Sequence, residues 1–201
     1  MRIASLTLLC LALAAVPAFA QSYNNGPING TTDAWTINFG YVVSDTFVVT
    51  PNATVDGVEW GLWEFPGDSV SSMSFTVTSG ESGGTQYYTF VGSPNSDSFI
   101  STNQYGYDID VVVVTNINIT LNNGGTYWLN VFNAAVPSGD PVYWDENSGP
   151  SSASESSVGT IPSEAFTIQY TEGGTTPEPS SIMLFGSGLL GLAGLLRRKL
   201  F

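Results

Sequence analysis

Hydrophobic and polar positions alternate along much of the chain with a period of two. In Ser72-Met73-Ser74-Phe75-Thr76-Val77-Thr78, Met73, Phe75 and Val77 share one face and the hydroxyls the other. Such alternation predicts an antiparallel strand with one face in a core and one toward water. In Tyr127-Trp128-Leu129-Asn130-Val131-Phe132, Tyr127, Leu129 and Val131 share a face, but Trp128 and Phe132 make the second face apolar too. That strand is expected at the centre of a sheet. Similar stretches predict strands at residues 34–42, 46–50, 57–65, 71–79, 85–91, 107–115, 117–121, 126–133, 141–144 and 164–170. Asn122-Asn123-Gly124-Gly125 falls between two of them and reads as a hairpin turn, with Gly supplying positive φ. No stretch shows a helical period. The expected ectodomain is therefore a single all-β domain of about ten short strands, a β-sandwich or jelly roll. Residues 21–32 and 146–160 are rich in Asn, Gly, Ser and Thr and predict flexible loops, and residues 171–181 a polar linker.

The two ends follow a different pattern. Arg2 precedes an apolar run from Ile3 to Val16, and Ala18-Phe19-Ala20 places small residues where a signal peptidase reads them. This order predicts a signal peptide over residues 1–20, cut after Ala20. Cys10 lies inside the apolar run, so the mature chain would hold no cysteine. At the other end an apolar run from Ile182 to Leu196 is closed by Arg197, Arg198 and Lys199. A spanning helix needs about 20 apolar residues, and flanking Ser and Pro with snorkelling basic side chains extend this one. The basic cluster predicts that residues 197–201 stay in the cytoplasm. The precursor is thus expected to cross the inner membrane once through residues 182–196, with residues 21–170 outside.

Charge narrows the function. Of 17 Asp and Glu and 4 Lys and Arg, all four basic residues lie in the end segments, and residues 21–176 hold no Lys, Arg or His. No side-chain ion pair is available there. Each carboxylate must be solvated, take hydrogen bonds from neutral donors, or bind a cation. Nucleic acid is excluded as a partner, because phosphate contacts require cationic side chains. Catalysis there lacks the usual groups: residues 21–176 hold no His, Cys or Lys as base or nucleophile. The remaining catalytic route is a carboxylate pair, as in glycoside hydrolysis, and the expected domain is not an enzyme.

No cofactor is required, and calcium is the one that fits. Asp145-Glu146-Asn147-Ser148-Gly149 follows the start of an oxygen-ligand loop, and Asp108 and Asp110 point to one face of a strand. The plainer reading is that these are turn residues bonded to local backbone. Trp63 and Trp144 lie beside acidic residues and could stack on sugar; aromatic residues in strands more often fill a core.

Pro177-Glu178-Pro179, the apolar run and the basic end together resemble the PEP-CTERM sorting signal of Gram-negative bacteria, also catalogued as an ice-binding-protein C-terminal domain. The resemblance covers residues 177–201, with Thr176 where the family often has Val. It implies recognition at Pro177, Glu178 and Pro179 by an exosortase-type enzyme, a transient anchor, and Arg197, Arg198 and Lys199 as cytoplasmic stop. Gly61–Asp68, Gly125–Leu129, Tyr143–Ser151 and Ile161–Phe166 resemble segments of ectodomains in the same group, which implies no activity. The expectation is an exported, non-catalytic surface or matrix protein, processed by signal peptidase and exosortase and associated with exopolysaccharide. A calcium-assisted carbohydrate-binding module is the alternative, and a two-carboxylate glycosidase a third.

Overall fold

The computed structural model describes residues 20–173 and Gly186. The sites expected at Ala18, Pro177, Glu178, Pro179, Arg197, Arg198 and Lys199 lie outside the described residues, as does the 182–196 span apart from Gly186. Among the described residues no helix is long and apolar enough to cross a membrane.

In chain order the strands are β1 (Ala20–Asn24), β2 (Ala34–Thr36), β3 (Val42–Val49), β4 (Ala53–Glu64), β5 (Ser72–Gly80), β6 (Gly83–Gly92) and β7 (Ser96–Thr102). The remainder are β8 (Asp108–Leu121), β9 (Gly125–Ala135), β10 (Tyr143–Asn147), β11 (Ala153–Glu155), β12 (Gly159–Ile161), β13 (Ser163–Glu164) and β14 (Phe166–Thr171). They form two antiparallel sheets, the β-sandwich expected from the alternation. One sheet has six strands in the order β12-β11-β3-β9-β5-β6, so β9 is central, as its two apolar faces require. The other has eight strands and is built on β4, which pairs with β8 along one edge and with β14 and then β10 along the other. β7 extends this sheet beyond β8, and β1 beyond β14.

The inward rows of the two sheets make the core. Phe47, Phe75, Leu129 and Val131 come from one sheet, and Trp60, Leu62, Trp144, Phe166 and Ile168 from the other, all at most 2% exposed. Met73, Phe75 and Val77 point inward together, as their period predicts. Phe75 stacks on Phe90 at 5.2 Å between ring centroids and tilts against Trp60 at 5.3 Å.

Four sequence expectations are corrected. The strands expected at 107–115 and 117–121 are one, β8 (Asp108–Leu121). Asn116 and Asn118 have φ of 61° and 52°, and the pairing with β4 slips between Val55 and Gly57. The bulge switches the inward parity of β8 from Asp110, Val112 and Val114 to Ile117, Ile119 and Leu121, which interrupted the alternation. Asn122-Asn123-Gly124-Gly125 is not a hairpin turn: it carries the chain from one sheet to the other, since β8 and β9 lie in different sheets. A Cβ on Gly124 would sit 2.8 Å from the Pro51 ring, and Gly125 has φ of 139°. Residues 21–32 contain β1, paired with β14, and the fully buried Asn25. Residues 146–160 contain the β11–β12 hairpin, which joins the six-stranded sheet through β3. Polar composition misled in both places because these residues are held by hydrogen bonds rather than by apolar burial.

Candidate functional site: two buried acidic clusters

Asp145 on β10 has no exposure. Its Oδ1 accepts hydrogen bonds from the Gly30 amide at 2.9 Å and the Trp63 indole at 2.7 Å. Its Oδ2 accepts from the Asn29 amide at 2.7 Å. Burial raises its pKa, and these three donors oppose that rise. Asn147, two residues on, donates from Nδ2 to the carbonyls of Asn25 (3.0 Å) and Pro27 (3.3 Å). Its Oδ1 accepts from the Gly149 amide at 2.8 Å. Glu146 accepts from the Trp35 indole at 2.9 Å. A Cβ on Gly149 would come within 2.0 Å of the Asn25 carbonyl oxygen. The Asp145–Gly149 segment is therefore a brace that fixes residues 25–30 across the sheet end. The calcium reading of Asp145 and Asn147 is corrected on that ground: their oxygens face protein donors, not a shared point.

Asp45 on β3 extends the brace. Its Oδ2 accepts from the Asn25 side-chain amide at 3.0 Å and the Glu164 backbone amide at 2.8 Å. Burial raises its pKa to about 6, against hydrogen bonds from Ser151, Glu164, Thr46 and Asn25. The Glu164 carboxyl is fully buried and takes no hydrogen bond on either oxygen. Burial first, then the charges of Asp45, Glu146, Asp145 and Asp33, raise its pKa well above the ordinary value.

The second cluster lies at the other side of β4. Strand alternation continues the inward row Val58, Trp60, Leu62 with Glu64, so a carboxylate occupies the last core-facing position of the strand. Asp110 on β8 stands opposite Leu62, and Asp97 on β7 stands opposite Val112, the next inward residue of β8. Three adjacent strands thus deliver one carboxylate each, and oxygens of Glu64, Asp97 and Asp110 lie within 4.8 Å of one another. Glu64 has no exposure, and no N–H or hydroxyl donor reaches either of its oxygens. Burial, then the charges of Asp97 and Asp110, raise its pKa to about 9. Burial, then Asp97 and Asp108, raise Asp110 to about 6. Asp97 is oriented through Oδ2, which accepts from the Val70 amide at 2.6 Å and Ser69 Oγ at 3.1 Å, while its Oδ1 is buried without a partner. Asp108 sits at the rim, its oxygens taken by the Gly67 amide at 3.1 Å and Thr102 Oγ1 at 3.0 Å.

Of the residues expected to hold a metal, only Asp110 thus joins a carboxylate cluster with free oxygens. Glu64 and Asp97, which complete this cluster, were not among the residues expected there. The signal for Glu64 was present in its inward parity; Asp97 lies in a Ser-rich stretch that carries no readable period.

The aromatic expectations divide. Trp144 is a core residue, fully buried, edge-on to Phe166 at 5.5 Å, with its indole bonded to the Ala165 carbonyl at 2.9 Å. Its reading as a sugar platform is corrected. Trp63 is 5% exposed, on the outer face of β4, and stacks with Tyr105 at 5.8 Å and 26°. Tyr107 links Trp63, Phe65 and Tyr143 in one group, from which Tyr105 is 57% and Phe65 36% exposed.

The described domain is an acidic antiparallel β-sandwich, and in sequence it precedes an apolar segment with a basic end. The tail makes this specific: residues 175–199 match the PEP-CTERM protein-sorting motif. That match implies exosortase processing of a membrane-anchored precursor exported to the cell surface. Comparison with curated proteins gives no match.

Proposed function

We propose that the β-domain is a non-catalytic surface or matrix component that exosortase-type processing at Pro177-Glu178-Pro179 releases into the exopolysaccharide layer. The observation that carries this reading is the sorting motif at residues 175–199 behind a domain whose residues 21–176 contain no Lys, Arg or His. Without His, Cys or Lys as base, nucleophile or Schiff-base amine, the domain offers surface and charge rather than turnover. Fractionation of the native host with and without its exosortase tests it. Released, tail-less protein is expected with the enzyme, and full-length protein in the inner membrane without it. Equal release from both strains would overturn the reading.

A second reading, a carbohydrate-binding module, is favoured by the Trp63–Tyr105 stack and the exposed edges of Tyr105 and Phe65. Rings presented in this way suit the apolar face of a sugar. Binding on a glycan array that Tyr105→Ala abolishes would support it, and a blank array would remove it.

A further inference from the structure

We propose that Glu64, Asp97 and Asp110 form a binding site for a hard divalent cation, calcium, at the end of the sandwich. Calcium takes oxygen ligands at about 2.3–2.6 Å, so two oxygens on one ion lie no more than about 5 Å apart. The three carboxylates satisfy that limit at 4.8 Å. The cluster alone would not suffice, since acidic groups gather on many surfaces. The second observation is Glu64 itself: fully buried, aimed into the cluster, and without a donor on either oxygen. An ionised carboxylate in that position is strongly unfavourable unless a positive charge joins it.

No side chain of residues 21–176 can provide that charge, because they hold no Lys, Arg or His. Asp68 and Asp108 add further negative charge beside the trio. The counter-charge must come from solution, as a metal ion or a proton. An all-oxygen set without imidazole or thiolate selects a hard cation. Calcium accepts six to eight ligands in irregular geometry, and here carboxylates and water would supply them; magnesium demands a near-ideal octahedron. The surroundings also orient the ligands. The Val70 amide and Ser69 Oγ hold Asp97 by its Oδ2. Such outer contacts characterise built metal sites. Glu164 provides the internal contrast: it is equally buried and unpartnered, but it belongs to no trio of free carboxylates.

The inference does not depend on the sorting route, and its test uses no host strain. The full chain, purified in detergent, is dialysed to equilibrium against calcium and then melted with calcium or with EDTA. One calcium per chain is expected, with a Kd of about 0.1–1 mM or tighter, the range of extracellular modules, and a higher melting temperature in calcium. Glu64→Gln and Asp110→Asn should each weaken binding about ten-fold or more, since affinity follows ligand charge. Glu164→Gln should leave it unchanged. Absence of bound calcium in the wild-type chain would overturn the proposal, as would binding that survives both trio variants. A Glu64→Gln chain that melts higher than wild type under EDTA, while wild type ignores calcium, would assign the site to a shared proton instead.

Discussion

The two acidic clusters of this domain solve one problem in opposite ways. Around Asp145 and Asp45 the chain surrounds carboxylates with amides, an indole and hydroxyls. Around Glu64 it presents three carboxylates to one another and gives Glu64 no donor. Both lie in a domain without cationic side chains, so composition does not separate them. Placement of donors does. A buried acid that meets preset N–H groups ties segments together; one that meets only other acids leaves a vacancy in charge. The first kind of cluster belongs to the architecture, and the second is suited to a ligand.

The largest effect that would break this comparison is expected at the brace. Asp145→Ala leaves the Trp63 indole and the Asn29 and Gly30 amides without their acceptor, at about 1–3 kcal/mol for each unsatisfied group. A loss of at least about 3 kcal/mol in urea unfolding is expected, the same with and without calcium. Gly149→Ala comes next, because its Cβ would collide with the Asn25 carbonyl oxygen. Overpacking of that kind destabilises by about 1–3 kcal/mol or more, again measured by unfolding.

Acidity should sharpen the contrast. Glu64 has its pKa at about 9 in the folded chain against an ordinary 4.5, so between those values the folded state holds a proton the unfolded state has lost. Stability must therefore fall as pH rises through that window. Asp110 and Asp45 act with the same sign between 3.8 and about 6. Under EDTA the melting temperature should decline from pH 5 to pH 9. With saturating calcium the Glu64 and Asp110 parts of the decline should be lost, leaving the Asp45 part below about pH 6 and the part from Glu164, whose raised pKa acts with the same sign. An unchanged slope in calcium would place the titrating group outside the trio.

The smallest effect is expected at the aromatic edge. Tyr105→Ala removes a partly exposed ring from Trp63, and such a pair contributes about 0.5–1.5 kcal/mol. Asp145 should keep Trp63 in place, so near-ultraviolet circular dichroism should change little.

Much of the architecture was legible because apolar alternation reports directly on sheet faces. Met73, Phe75 and Val77 announced a core strand, and the two-faced Tyr127–Phe132 segment announced a central one. The strands of polar sequence were not legible. β1, β11 and β12 are placed by partners distant in sequence, with Gln21 opposite Tyr170 and Ser154 opposite Ser44. The Asp145–Gly149 segment misled for a related reason. Oxygen side chains at alternate positions serve a cation and a set of backbone amides equally well. Only the fold shows that residues 25–30, more than 100 positions away, supply amides there. Glu64, by contrast, was readable: it continues the row Val58, Trp60, Leu62 at the spacing of an inward face.

Because β14 runs between β1 and β4, the strand nearest the start of the domain must wait for the one nearest its end. Assembly of this sheet edge is therefore late and non-local. Until Phe166–Thr171 arrives, Ala20–Asn24 has no neighbour to bond, and the domain remains an open book whose first page is bound last.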